Sequence, residues 1–400
     1  MMRTWKMTVG VLMTVLLLTA TASCRAEKKQ VDYKPPVKTE EREQTLSLLF
    51  AGDLMQHGPQ IKAALRPDGS YDYSECFAMV RAEIERADVA IGNFEVTLGG
   101  RPYTGYPQFR APDEYLQACI DAGFDVLLTA NNHCLDSRRK GLERTIMMMD
   151  SLGVPHLGTY INKEVRDSTY PFLLERNGLR VVLLNFTYGT NGLPLEAPNV
   201  VNLIDTTEIR ADIERAKAMH PDAIIALPHW GIEYQQLPSA EQRQLAQWLI
   251  DRGVDHVIGG HPHVAQPLEL SADSLHLVAW SMGNVISNQS KPNTYGGYMV
   301  RLELTKRDTL EQVARSTGGW HEPAVTQGRT WLSDCGYTLY WVSRPTDNGR
   351  RHNYRIMPID VPDSLLTGME QKNRYAIRAS MRRLMERHAK GVSEYPMAGE

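Results

Sequence analysis

FDVLLTANNHCLD, residues 124–136, carries the reading that decides how this chain folds. Residues 124–129 are an apolar run of strand length, and Ala130-Asn131-Asn132-His133 follow with no spacer. A short apolar run bounded by turn formers reads as a buried strand. In open α/β sheets ligands bind just beyond the carboxyl ends of strands, so polar groups placed there are candidates for a site. The pattern recurs on both sides. Residues 46–51 (LSLLFA) run into Gly52-Asp53, and 87–91 (ADVAI) run into Gly92-Asn93. Residues 179–185 (LRVVLLN), 223–227 (AIIAL) and 256–258 (HVI) are further buried strands. Segments 73–87, 112–122, 141–152, 206–219 and 239–252 have helical spacing. Strands alternating with helices predict an α/β fold.

The texture changes after Trp280. Residues 298–304 (YMVRLEL) and 337–343 (YTLYWVS) alternate apolar and polar residues, as half-exposed antiparallel strands do. Residues 305–334 read as loop, and 364–390 as a basic helix.

Composition narrows the class. The 400 residues carry 44 basic and 47 acidic side chains, a net charge of −3, with 42% apolar and 23% charged residues. These are globular values, which exclude wholesale disorder, collagen and coiled coil. No basic surplus is present to neutralise phosphates, so no nucleic-acid partner is expected. At roughly 100–200 residues per domain the length allows two or three domains, or one large α/β domain with additions.

Five cysteines are no disulfide framework in a chain of this length. One of them stands apart. Arg3 and Lys6 precede an apolar run over residues 7–20, then Thr21-Ala22-Ser23-Cys24. A short apolar run with a basic start and small residues at its end is an export signal. Thr-Ala-Ser-Cys resembles a bacterial lipobox, which implies cleavage before Cys24 and lipidation of it. The expected layout is a signal peptide over 1–23 and a polar, disordered tether over 24–45, with folded structure from Leu46. A main domain is expected over 46–304, and C-terminal strands with a helix packed on it over 305–400. Cys76, Cys119, Cys134 and Cys335 are left without an assigned pairing.

Six motifs carry the chemistry. They are Gly52-Asp53-Leu54-Met55-Gln56-His57, Gly92-Asn93-Phe94-Glu95, Asn131-Asn132-His133-Cys134-Leu135-Asp136, His229-Trp230-Gly231-Ile232-Glu233-Tyr234, Gly259-Gly260-His261-Pro262-His263 and Ser281-Met282-Gly283-Asn284. Carboxylate, amide and imidazole ligands together suit borderline divalent metals: Mn, Zn, Fe or Ni. A shared carboxylate can hold two such ions, a pair able to activate water and clamp an oxyanion.

Asn132-His133-x-x-Asp136, a later His229, then Gly260-His261-x-His263 resemble the order in calcineurin-like metallophosphoesterases. More closely, Gly-Asp-x-Met, Gly-Asn-x-Glu, Ala-Asn-Asn-His-x-x-Asp, His-Trp-Gly-x-Glu-Tyr, Gly-x-His-Pro-His-Val-x-Gln and Ser-x-Gly-Asn resemble the CapA-type capsule-synthesis proteins of poly-γ-glutamate biosynthesis, over residues 46–304. The resemblance implies an α/β/β/α sandwich of two sheets and a site for one or two divalent metals. Asp53, Glu95 and His263 would surround one metal. Glu95, Asn132, His229 and His261 would surround the other, with Glu95 bridging. His133 would be the unliganded imidazole that stabilises charge or protonates a leaving group, and Asp136 would orient it. An anionic polymer or phosphoester would be the substrate, capsule-synthesis membrane proteins the partners, and the cell envelope the location, reached through the lipid anchor.

Two positions depart from the phosphoesterase pattern. Met55 stands where a ligand His is usual, with His57 two residues on as a substitute, and Glu95 replaces an Asp. Arg110, Glu233 and Tyr234 are candidate substrate-binding residues; Tyr106 joins them as a secondary candidate. Asn284 and Ser281 are expected to support the site. Two other readings stay open: a non-catalytic scaffold or polymer-binding component of a capsule machine, and a periplasmic nucleotidase or phosphodiesterase.

Overall fold

Val37–Leu54 forms one strand whose last third alternates between two cores. Leu46, Leu48 and Phe50 point into the larger core, while Leu49 and Ala51 point into a second. Successive strand residues face opposite sides of a sheet, so a run apolar at every position is stable only when both faces are covered. The computed structural model of the protein describes residues 34–315, 317–345 and 353–398. In it a nine-stranded sheet and a six-stranded sheet face each other across the larger core.

The first sheet places Val37–Leu54 between Val89–Phe94, which is parallel to it, and Gly296–Val313, which is antiparallel. Val126–Leu128 continues the parallel side. In the second sheet Leu179–Thr187, Ala223–His229 and His256–Ile258 are mutually parallel. Asp113–Asp121 covers the outer face of the first sheet through Tyr115, Leu116 and Cys119. Thr206–Ala218 and Ala240–Ile250 cover the second through Ile209, Ile213, Ala246 and Leu249. Asp205 and Ser239 cap these two helices with side-chain acceptors. The architecture is the expected α/β/β/α sandwich, with antiparallel strands and the helix Gly368–His388 added at the C-terminal side.

Four expectations need correction. Residues 37–45, read as part of a disordered tether, are strand, paired residue for residue with 305–313. Residues 305–334, read as loop, mostly lie in that partner strand and in Ala324–Ser343, which pairs with it. The expected boundary at 304/305 therefore falls inside a strand. Apart from Val37, residues 37–45 are polar and largely exposed, and in 305–313 Leu310 and Val313 are the only apolar residues, so no apolar period marks either. The 337–343 strand is not half-exposed, since all its residues are buried, and the 298–304 strand alternates only from Arg301 onward: Tyr298, Met299 and Val300 are all buried. Lastly, residues 73–87 yield helix only at Arg81–Glu85. The Cys76 carbonyl accepts from the Ile356 amide of a crossing strand, so it is not spent on continuing a helix. The expected signal peptide and Cys24 lie outside the described residues. Cys76, Cys119, Cys134 and Cys335 are free thiols.

Burial also sets a pH dependence. Burial, then the charge of His276, pushes the His256 imidazole down to about 3, and burial pushes His57 down to about 4. Unfolded, both titrate near 6.5. Between these values the unfolded chain binds more protons, so stability is lost as pH falls from about 6.5. From pH 6.5 to 5 each should cost about 1.5 kcal/mol. The thermal midpoint, measured with a chelator present, should drop over that interval and drop less in His256→Gln. A flat midpoint would contradict the burial argument.

Candidate metal centre

All the parallel strands named above end at one edge of the sandwich, and the six motifs meet there. Asp53 sits at the centre of this edge, paired through its Cα position with Asn93 on one side and Asn284 on the other. The register shifts on both sides of Asp53. Such bulges re-aim a side chain without ending the strand. His261 and His263 flank Pro262 with φ of 101° and 59°. Left-handed backbone at a non-glycine residue costs roughly 1–3 kcal/mol and persists where the surroundings impose it. Here the turn is held by the Pro262 carbonyl, which accepts from the Tyr234 amide, and by the Gly260 amide, which donates to Pro228.

Two groups of buried ligand atoms result. Asp53, Glu95 and His263 form one; Glu95, His229 and His261 form the other. Glu95 belongs to both. Its Oε1 lies 3.6 Å from His229 Nε2 and 3.9 Å from His263 Nε2. The Asn132 Oδ1 stands 2.7 Å from His229 Nε2, which adds an amide oxygen to the second group. Two buried atoms of these groups, Glu95 Oε1 and His261 Nδ1, have no hydrogen-bond partner. Leaving a buried carboxylate oxygen unsatisfied costs at least about 1–3 kcal/mol. A divalent cation held by Glu95 and His261 would offset that cost, so the residues fit a metal.

The surroundings orient the ligands. The His263 Nδ1 donates between Asn284 Oδ1 at 3.0 Å and Asp53 Oδ2 at 3.2 Å, which leaves the Nε2 lone pair toward Glu95. Asn93 Nδ2 donates to Asp53 Oδ1 at 2.8 Å. Burial raises the Asp53 carboxyl, but the hydrogen bonds it accepts from His263 and Asn93 help hold it below its ordinary value. Burial and the neighbouring Asp53 charge push Glu95 well above its ordinary value. A cation between the carboxylates would reverse that balance.

His133 stands in neither ligand group. Its Nδ1 donates to Asp136 Oδ2 at 2.7 Å, and the same oxygen accepts from the Phe109 amide. The Phe109 ring meets His133 edge-on at 4.5 Å. Arg110 approaches through Ser137, whose Oγ accepts from Nε at 3.0 Å. Glu233 Oε1 is 4.0 Å from His263 Nε2, and the Tyr234 ring is 6.2 Å from His263. Met55 is buried in the helix-side core, and His57 lies outside both groups. The His57 ring is spent on Gln60 and on the Asn288 amide.

Tyr188 and Asn191 escaped the sequence reading. Tyr188 lies 4.4 Å from the His261 ring and nearly parallel to His229. Asn191 Oδ1 accepts from Asn132 Nδ2 at 3.1 Å. Both follow the strand Leu179–Thr187 directly, the placement that marked the other motifs. No recognisable motif contains them, and each by itself reads as an ordinary turn residue.

Fold and cluster together define a two-sheet α/β protein with a carboxylate–imidazole centre of the kind that holds divalent metals. The chain belongs to the bacterial capsule synthesis protein family PGA_cap, whose profile matches residues 47–289. It is similar to the "Capsule biosynthesis protein CapA" of Bacillus anthracis, 29% identical over 311 residues, covering 74% of this chain and 72% of that one. It is similar also to the "PGA biosynthesis protein CapA" of Bacillus subtilis (strain 168), 27% identical over 287 residues, covering 69% and 72%. A solved 5'-nucleotidase from Candida albicans aligns at 15% identity and a TM-score of 0.39, over 87% of this chain and 59% of that one. A likeness that slight adds nothing to the fold read from the strands.

Proposed function

We propose that this protein is a metal-dependent hydrolase of the bacterial cell envelope, acting in capsule biosynthesis on an anionic polymer, poly-γ-glutamate in the first instance. Family membership supports the capsule role. The observation that carries the metal site is Glu95 Oε1: buried, without a hydrogen-bond partner, and common to both ligand groups. Asp53, Glu95 and His263 would hold one ion, and Glu95, Asn132, His229 and His261 a second. Such ions lower the pKa of water and neutralise charge developing on substrate oxygens.

The chain's own residues do the rest. Asp136 fixes the proton of His133 on Nδ1, so Nε2 is the atom that passes a proton to the leaving group. Asn284 and Asn93 hold His263 and Asp53 in place. Glu233 and Tyr234 beside His263, and Tyr106 and Arg110 beside Phe109 and Ser137, would bind the substrate. Among the described residues no helix is long and apolar enough to cross a membrane. Anchoring is assigned to lipid on Cys24, with capsule-synthesis membrane proteins as partners.

The full chain, purified, should contain one or two transition-metal ions, and His261→Ala or Asn132→Ala should lower that content. His133→Ala should keep the metal and lose at least about 100-fold in turnover of a phosphodiester or of γ-glutamyl polymer. A folded, metal-free wild type rejects the site. Metal without turnover of either substrate favours the scaffold reading, and unchanged turnover in His133→Ala rejects the role given to His133.

A further inference from the structure

An amide ligand poses a problem that a carboxylate does not. Asn132 must present its oxygen, not its NH2 group, to a metal, yet the two ends of the amide are nearly equal in shape. Asn132 is 1% exposed, so water does little to settle which end points inward. The ligand atom is therefore set by whatever satisfies the NH2.

In this fold Asn191 does so. Its Oδ1 accepts from Asn132 Nδ2 at 3.1 Å, and the far end of the same amide, Asn132 Oδ1, lies 2.7 Å from His229 Nε2. Asn191 belongs to the turn that follows the strand Leu179–Thr187. The turn is tied to the site's second sheet because the Tyr188 amide donates to the His229 carbonyl at 3.0 Å. It is tied to itself by Thr190, whose Oγ1 donates to the Leu193 carbonyl. The Asn191 backbone has φ 51°, a conformation that Asn and Gly tolerate better than other residues. Its own orientation is in turn constrained. Tyr188 Oη approaches the same Oδ1 at 3.4 Å, and a flipped Asn191 would set NH2 against NH2.

We infer that Asn191 is a positioning residue: it fixes the Asn132 amide with its oxygen toward the metal centre, although it binds no metal itself. The inference rests on the proposed metal site. It implies that a residue on an exposed loop sets the affinity of a buried centre. Hydrogen-bond partners of metal ligands typically alter affinity by about 10–100-fold when removed.

The test compares Asn191→Gly, which keeps the backbone conformation and removes the acceptor, with Asn191→Asp, which keeps an acceptor and tolerates the same backbone. Mn2+ and Zn2+ affinities of the full chain are measured by competition with a chromophoric chelator, alongside the metal-free thermal midpoint. Wild type should bind. Asn191→Gly should bind about 10-fold or more weakly with a similar midpoint. Asn191→Asp should stay within about threefold of wild type, well inside the range expected for loss of the partner. If wild type binds and Asn191→Gly binds equally well, the inference fails and the metal site stands. If both variants are equally weak, the acceptor is not what matters and the inference also fails. A wild type that binds neither ion overturns both.

Discussion

Glu95→Gln should empty the metal centre entirely, whereas Asp53→Asn and His261→Ala should each weaken only one side of it. Glu95 alone is shared by the two ligand groups; Asp53 and His261 each belong to one. Gln is nearly isosteric, so packing around this fully buried side chain is kept while its charge is lost. The metal-free variant should be no less stable than metal-free wild type. Burial and the Asp53 charge both oppose ionisation of Glu95, so that carboxylate is a liability until a cation arrives. The signature lies in the response to metal. A ligand present at 100 times its dissociation constant stabilises the folded state by about 2.7 kcal/mol. Wild type should gain that shift in thermal midpoint on adding Mn2+ or Zn2+, and Glu95→Gln should gain none. Wild-type metal content in Glu95→Gln would sink the shared-ligand arrangement.

The second large effect is on folding. A Cβ at Gly52 would lie 1.9 Å from the backbone oxygen of Gly283 and 3.3 Å from Met282 Cβ. That oxygen is held in place, because it accepts from the Asp53 amide at 3.0 Å. Gly283 is bridged on its other side to Gly297, so it has little room to move away. Neither strand can yield without displacing Asp53 from the centre of the site. Overpacking of this kind costs about 3 kcal/mol. Gly52→Ala should lower the urea midpoint accordingly and lose metal together with stability. Gly58→Ala is the control. Nothing lies within 4 Å of a Cβ there, and Gly58 opens a short helix. That change should be neutral or stabilising by up to about 1 kcal/mol. Equal midpoints for the two variants would refute the close approach of the strands.

Much of this centre was legible before any coordinates. The apolar runs of 46–51, 179–185 and 223–227 are strands because a segment apolar at every position needs cover on both faces, which a parallel two-sheet sandwich supplies. The residues placed after those runs converge because parallel strands share a carboxyl end. That is why Asp53, Glu95, Asn132, His229, His261 and His263 could be nominated from the sequence as one candidate cluster, and the fold does bring them close together. The substitute considered for Met55, His57, shows the limit of spacing arguments. Met55 turns into the helix-side core, and the His57 ring is taken up by a hydrogen bond within its own turn.

What the sequence determined by itself was the set of strongly patterned elements and the ligand types at their ends, since apolar periodicity and residue chemistry are local properties. Three things were decided only by the tertiary structure. The long pairing of residues 37–45 with 305–313 joins two polar segments with no apolar period, so nothing local announces it. The sharing of Glu95 depends on how the two sheets are set across their common core. The contact between Asn191 and Asn132 spans 59 residues and rests on one hydrogen bond between two common amides. Long-range polar contacts of that kind leave no trace in composition or spacing, because each partner alone is an ordinary turn residue until the fold brings them together.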